Sequence, residues 1–523
     1  MAASRTRGRV PTHRDPDGPL PLPFVPGEVS NGEFVPRSPT RRDRLIVEET
    51  LRRAEVAAAR TGMDRRRFLQ TTGGMAAMLA AVNLVAACTG SESPVAGPDT
   101  APPTTPGGTF AVPEPEDEVA CAVALGGTEL IIDIHTHHVM PDGPWRQNVP
   151  GIEAMIRNLV PRGCSEADPL VCLDRQAYVR DMFLASDTTL ALISDVPSSG
   201  VASDSPIPFE DQVGTHDFVA SLTGDGEPRV MVQSIIAPNF FSPGEQLDRM
   251  EQQAGTGTVA SFKAYTAWGP QRQGYRLDDP VLGIPVIAKA QELGVRVIAA
   301  HKGLPIQGFD QRFNDPDDIV AVSKLFPQMQ FVVYHSGFER ETTEGPYDPA
   351  RAQRGTNALI RAMDDHGVPP GSNVWCELGT TWRETMSNPT EAAHVLGKLL
   401  TRVGQDRVLW GTDGIWLGSP QPQIMAFRSF EISAEFQDRF GYPALTPQVK
   451  AKVFGLNATK LLGLDPGDVR CGLDETKLAQ ARIAYDALHH EGVVREPWTA
   501  RAPITRRQML GWLRSPGATV APF

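Results

Sequence analysis

Ile132-Asp133-Ile134-His135-Thr136-His137 is a short apolar run that ends in two histidines one residue apart. Side chains on an extended strand alternate between its faces, so His135 and His137 point the same way. Read outward from this run (130–135), similar apolar and β-branched runs recur at 188–195, 229–236, 258–265, 295–301, 330–335, 373–378 and 407–413. Several are apolar almost throughout, as parallel strands covered on both faces are. Between them lie stretches with helical spacing at 280–293, 349–366 and 389–403, and a shorter one at 316–326 that places Pro316 at a first helical position. Eight strands alternating with helices predict a (β/α)8 TIM barrel over 119–464, closed by a helix at 446–464. An open doubly wound sheet is the other arrangement, and the first strand lacks the Gly-x-Gly-x-x-Gly that such a sheet often carries.

Four histidines and one carboxylate fall at strand ends. His135 and His137 end the first strand, His301 ends Ile298-Ala299-Ala300-His301, His335 ends Val332-Val333-Tyr334-His335, and Asp413 ends Leu409-Trp410-Gly411-Thr412-Asp413. The C-terminal ends of parallel barrel strands converge on one mouth, where catalytic groups sit. Two histidines from one strand, a third from another and an opposing carboxylate enclose a divalent ion and leave a position for water.

Those motifs, Asp133-Ile134-His135-Thr136-His137, Ala300-His301, Tyr334-His335-Ser336-Gly337 and Gly411-Thr412-Asp413, resemble the amidohydrolase superfamily. The resemblance is closest to its family 2 branch, which includes relatives of aminocarboxymuconate-semialdehyde decarboxylase, and it covers roughly residues 130–464. It implies His135, His137, His301 and Asp413 as metal ligands, Asp413 also as the proton-transfer group, and His335 as acid, base or electrostatic stabiliser toward substrate. Lys263 stands where binuclear members carry a carboxylated lysine. One Zn2+ is the expectation, with a second ion bound if Lys263 is modified. Lys302, Arg383 and Glu377, just past or near strand ends, are candidates for contacting substrate. Trp268, Trp382 and Trp416 are candidates for an apolar wall.

Three functions fit. The leading one is hydrolysis of an amide, ester, lactone or similar bond in a small molecule. The second is metal-dependent decarboxylation of a small unsaturated acid, and the third is a non-catalytic binding barrel. The chain carries −12 net charge, with residues 1–67 at +5 and the rest at −17. So acidic a body is repelled by phosphate backbones, which argues against nucleic acid as a partner.

The front end reads as an address. Arg65-Arg66-Arg67-Phe68-Leu69 followed by an uncharged stretch to Val85-Ala86-Ala87-Cys88 resembles a twin-arginine export signal with a lipoprotein cleavage box. That predicts an exported, envelope-located protein, lipid-anchored to the membrane through Cys88. The expected organisation is a leader of unassigned role (1–62) with a helical patch near 45–60, the signal (63–88), a flexible tether (89–118), the barrel, and a helical extension (465–523). Met63 is an alternative start. None of the six cysteines forms a Cys-x-x-Cys pair, and the Cys164/Cys172 spacing allows a small disulfide loop.

Overall fold

A computed structural model of the protein describes residues 20–27, 36–89, 105–160, 164, 166–223, 228–305, 309–470 and 477–490. The chain begins with three helices, α1 (Arg41–Thr61), α2 (Arg65–Leu69) and α3 (Thr72–Thr89), then strand β1 (Gly108–Phe110) and helix α4 (Glu118–Leu125). Eight strands follow: β2 (Ile132–Thr136), β3 (Leu190–Ser194), β4 (Val230–Ile236), β5 (Val259–Ala264), β6 (Val297–His301), β7 (Gln330–Tyr334), β8 (Val374–Glu377) and β9 (Val408–Leu409). They form one sheet in sequence order, every pair parallel. The sheet closes on itself where Ile134 N–H donates to Trp410 O (3.2 Å) and His137 N–H to Gly414 O (2.5 Å). This is the barrel that the eight runs predict.

Two apolar layers hold it. Inside, Ile132, Ile134, Leu190, Leu192, Val297, Ala299, Val332, Trp375 and Leu409 fill the lower barrel, and Ala458 and Leu461 of the closing helix plug its floor. Outside, the intervening residues, such as Phe262, Ile298, Ala300, Phe331, Val333 and Val374, pack under the helices. The alternation along β6 shows the rule: Val297, Ala299 and His301 face inward while Ile298 and Ala300 face out.

Four local features differ from the sequence reading. β9 stops at Leu409, because Asp413 takes a left-handed conformation (φ 59°) that removes it from the ladder. The helix expected from Pro316 begins at Asp317, with Pro316 as its cap. The stretch at 349–366 breaks into a 3-10 turn (Pro349–Arg351) and a helix (Thr356–His366). The closing helix contains a π turn at Lys452–Leu456.

The front end is folded onto the barrel. α1 covers the expected helical patch and opens on a capping box in which Thr40 and Asp43 exchange hydrogen bonds. α3, the core of the expected signal, is apolar nearly all round and buried from Met75 to Met78 without exposed surface. A helix of that composition requires cover on all sides. Of the expected tether, 90–104 lies outside the described residues, but β1 is a strand paired antiparallel with β10 (Phe430–Ile432). Cys88 is exposed with a free thiol, and Cys164 is bonded to Cys172. Among the described residues no helix is long and apolar enough to cross a membrane.

In the C-terminal extension, helix Lys477–His490 docks through Arg482, which donates to Ser186 O and Asp187 (both 2.5 Å). Burial opposes the charged form of Asp187, but Arg428 and Arg482 outweigh it and hold this carboxyl below its usual range. A lowered folded-state pKa stabilises above the unfolded value, near ~3.9, and the stabilisation is lost as pH falls through the folded one. Asp187→Asn is therefore expected to detach the 477–490 helix at neutral pH, read as faster proteolytic cutting within it, as the unchanged protein does only under acid.

Candidate metal centre at the barrel mouth

Alternation alone would turn only one of Ile134 and His135 inward. A register shift between Asp133 and Thr136 breaks it, so that His135 follows Ile134 into the barrel, where its ring lies 4.3 Å from that of Tyr334. Thr136 faces out, bonded to Tyr178 (2.8 Å) and Leu192 O (2.7 Å), and His137 faces in again.

His135, His335 and Asp413 each offer a ligand atom within 4.8 Å of the others. His137 joins them, its Nε2 3.5 Å from Asp413 Oδ1, with His135 Nε2 at 3.6 Å. His301 lies beside this group rather than within the triplet, its ring 4.6 Å from that of His335 and its Nε2 3.4 Å from Leu304 O. The sequence reading gives His335 as a group acting on substrate, or as a second-metal ligand if Lys263 is modified, and the structure brings it within reach of His135 and Asp413. The cause is backbone: His335 leaves β7 with φ 61°, as Asp413 leaves β9 with φ 59°, and such left-handed non-glycine residues are costly and cluster at functional sites.

The second layer fixes each imidazole. His137 Nδ1 lies 2.7 Å from Ser194 O, and His335 Nδ1 lies 2.8 Å from Gly379 O. A carbonyl only accepts, so both Nδ1 atoms carry the proton and both Nε2 atoms keep a lone pair. His135 Nδ1 faces Glu377 Oε2 at 3.4 Å. Burial foremost, with Lys263 and the neighbouring imidazoles, holds His135, His137 and His301 well below the ordinary histidine value. Burial pushes His335 down to about 3, against the Gly379 bond. Neutral imidazoles with outward-bonded Nδ1 atoms are what a divalent metal takes, so the residues present fit such an ion.

Glu377 lies behind the histidines, where it orients them. Its Oε2 also accepts His335 N–H (3.0 Å), and burial pushes it up to about 8. A Cβ on Gly411 would stand 1.8 Å from its Oε1, so glycine is required there for Glu377 to pass. Lys263 reaches the site as foreseen: its Nζ is 3.1 Å from His135 Nε2 and 3.2 Å from Ser194 Oγ, over the Tyr265 and Tyr334 rings.

Lys302 and Arg383 do not reach it. Lys302 is buried in an ion pair with Asp318 (2.7 Å), and Arg383 donates to Val25 O (3.1 Å) over the Phe24 ring. Trp382 is core, bonded to Gln423 O and packed on Phe427. Trp268 and Trp416 lie beside the histidines: Trp268 packs on Phe309, which abuts His301, and Trp416 stacks 5.9 Å from His137.

The sequence reading passes over Asp133 and Thr380 as functional residues. Buried Asp133 accepts N–H bonds from His135 and Thr412 (3.1 Å each), and burial pushes it up to about 7. Thr380 donates to Asp413 Oδ2 (2.8 Å). A lone Asp inside an apolar strand was the available signal for the first; nothing local marks the second.

Residues 214–464 match the family described as amidohydrolase. The matched stretch carries β4 to β9 and leaves His135 and His137 outside it. No curated protein matches in sequence. An uncharacterized TIM-barrel protein from Bordetella bronchiseptica is 17% identical, with 64% of this chain and 98% of that chain covered and a TM-score of 0.42. For 5-carboxyvanillate decarboxylase from Sphingomonas paucimobilis the values are 14%, 65%, 100% and 0.42. For dihydroorotase from Campylobacter jejuni they are 13%, 65%, 86% and 0.34.

If the centre holds a divalent metal, Glu377→Gln is expected to weaken its binding by about 10- to 100-fold, the usual effect of losing a partner behind a ligating histidine, measured by titration against a competing chelator.

Proposed function

Residues 214–464 belong to the amidohydrolase family, and from that premise we propose that the protein is a metal-dependent hydrolase cleaving an amide, ester, lactone or related bond of a small molecule. The observation that carries this reading is the donor set: the Nε2 atoms of His135 and His137 either side of Asp413 Oδ1, with His335 beside them.

A divalent ion held there supplies a Lewis acid and brings the pKa of a water toward ~7. The chain's own residues do the rest. Thr380 orients Asp413 through Oδ2, and the Asp413 carboxylate would take a proton from the attacking water and return it to the leaving group. His335, protonated at Nδ1, has only a lone pair at Nε2 and serves as ligand or base, not as an acid. Tyr265, Trp268 and Phe309 on one side and Trp416 on the other give apolar cover to the part of a substrate that does not react. Hydrolysis is preferred because Lys302 and Arg383, the cations foreseen for a substrate carboxylate, are engaged elsewhere.

Decarboxylation has one observation in its favour, the buried Lys263 amine inside the site, which a substrate carboxylate would pair with. A single ion, most simply Zn2+, is the reading for the metal. Elemental analysis beside intact peptide mapping tests it, since a second ion would come with a carboxylate adduct on Lys263.

The reaction is tested with metal-loaded protein, a panel of amides, esters, lactones and carboxylic acids, and 18O-labelled water. Label in the acid product is the expected result. Carbon dioxide released without label incorporation would establish a lyase, and ligand binding indifferent to metal removal, with no turnover, would establish a binding protein. His135→Ala is expected to lower turnover by at least about 1000-fold if the chemistry depends on this ion.

A further inference from the structure

α3 has the composition of an export segment but the contacts of a wall helix. Asn83, midway along it, donates through Nδ2 to Phe110 O (2.8 Å) and accepts Phe110 N–H at Oδ1 (2.9 Å). Its carboxamide thereby pairs with the backbone of β1, as a neighbouring strand would. Met75, Met78, Leu79 and Val82 share one apolar cluster with the barrel's outer layer, and Thr50 of α1 bonds Met78.

The same region grips the mouth. Arg383 and Arg340 donate to Val25 O (3.1 Å) and Gly27 O (3.3 Å), Arg340 pairs with Glu384 (2.9 Å), and Arg42 donates to Asn388 (2.9 Å). Arg383 and Glu384 belong to the short helix Thr381–Thr385, and the turn that opens it touches the site twice. Thr380 bonds Asp413, and Thr381 bonds His335 O (3.0 Å).

We propose that residues 20–27 and 36–89 stay in the working protein as a buttress that presses helix Thr381–Thr385 onto Asp413 and His335. The segment resembling a signal is on this account a fixed part of the enzyme. Its sequence is apolar because most of α3 between Gly73 and Val82 is buried against α1 and the barrel's outer cluster. The residues Val25, Gly27, Arg340 and Arg383 are positioning groups, acting on the site through Thr380 and Thr381. This rests on the metal-centre reading for its effect on ligands, though not for retention of the segment.

The test uses the full chain with a specific protease site placed within 90–104, cut after folding. The 1–89 piece is expected to co-elute with the remainder in size exclusion, and protein recovered from its natural source is expected to retain residues 36–89 by intact mass. Separation of the two pieces, or a recovered chain beginning at a lipid-modified Cys88, overturns the proposal. In the uncut chain, Arg340→Gln and, separately, Phe24→Ala are expected to weaken Zn2+ binding about tenfold at unchanged stoichiometry, the scale on which supports behind ligands act. Unchanged affinity in both folded variants also overturns it. Absence of Zn2+ binding in the unaltered chain would instead sink the metal reading, and co-elution would still decide retention.

Discussion

The carboxylate of Asp133 is shared between the first and last strands of the barrel. It accepts the N–H of His135 on one side and the N–H and hydroxyl of Thr412 on the other. Closing the cylinder and bringing His135 to Asp413 are therefore one event, because the residues joined are each next to, or are themselves, site residues. The cost of burying this carboxyl, evident in its raised pKa, is offset by those three donors. Nearly everything else at the mouth depends on this junction. A barrel whose edges did not meet here would leave the first-strand histidines and the last-strand carboxylate on separate rims.

Around that junction the chain departs from regular structure at several residues of the candidate site. The register shift in β2 turns His135 inward, and the left-handed turns at His335, Thr380 and Asp413 aim groups that a straight strand would send elsewhere. Such conformations persist only when surroundings over-determine them. Here Glu377 holds His335 N–H, Thr381 holds its carbonyl, and Thr380 holds Asp413. The helix carrying the threonines is in turn fastened from outside by Arg340 and Arg383. The result is a layered arrangement in which a rigid apolar floor carries a polar second layer, and the second layer carries the ligands.

Local pattern was a good guide to the barrel because each strand is short, apolar and bounded by turns, so its burial on both faces is written into its composition. It was a poor guide to long side chains. Lys302 and Arg383 follow strand ends just as His301 and Glu377 do, yet one turns into an ion pair with Asp318 and the other toward a carbonyl 358 residues earlier. Glu377, read from its position as a candidate substrate contact, stands behind His135 and His335. A flexible stem with several rotatable bonds reaches whichever partner the fold supplies, and those partners lie far off in sequence. The front end admits two readings, since an apolar, small-residue helix satisfies an export pathway and a buried wall equally well.

What the sequence determined by itself was the periodicity: eight buried strands, the helices between them, and the placement of His135, His137, His301 and His335 at or just past strand ends. These follow from local alternation and composition, which need no partner to be read. The fold alone decided which imidazole nitrogen faces inward, that His335 comes within reach of His135 and Asp413 with His301 beside them, and that α3 lies within the barrel's coat. Each of those outcomes is set by a contact between residues distant in the chain, and a buried polar group takes its role from whatever partner closure brings within hydrogen-bonding reach.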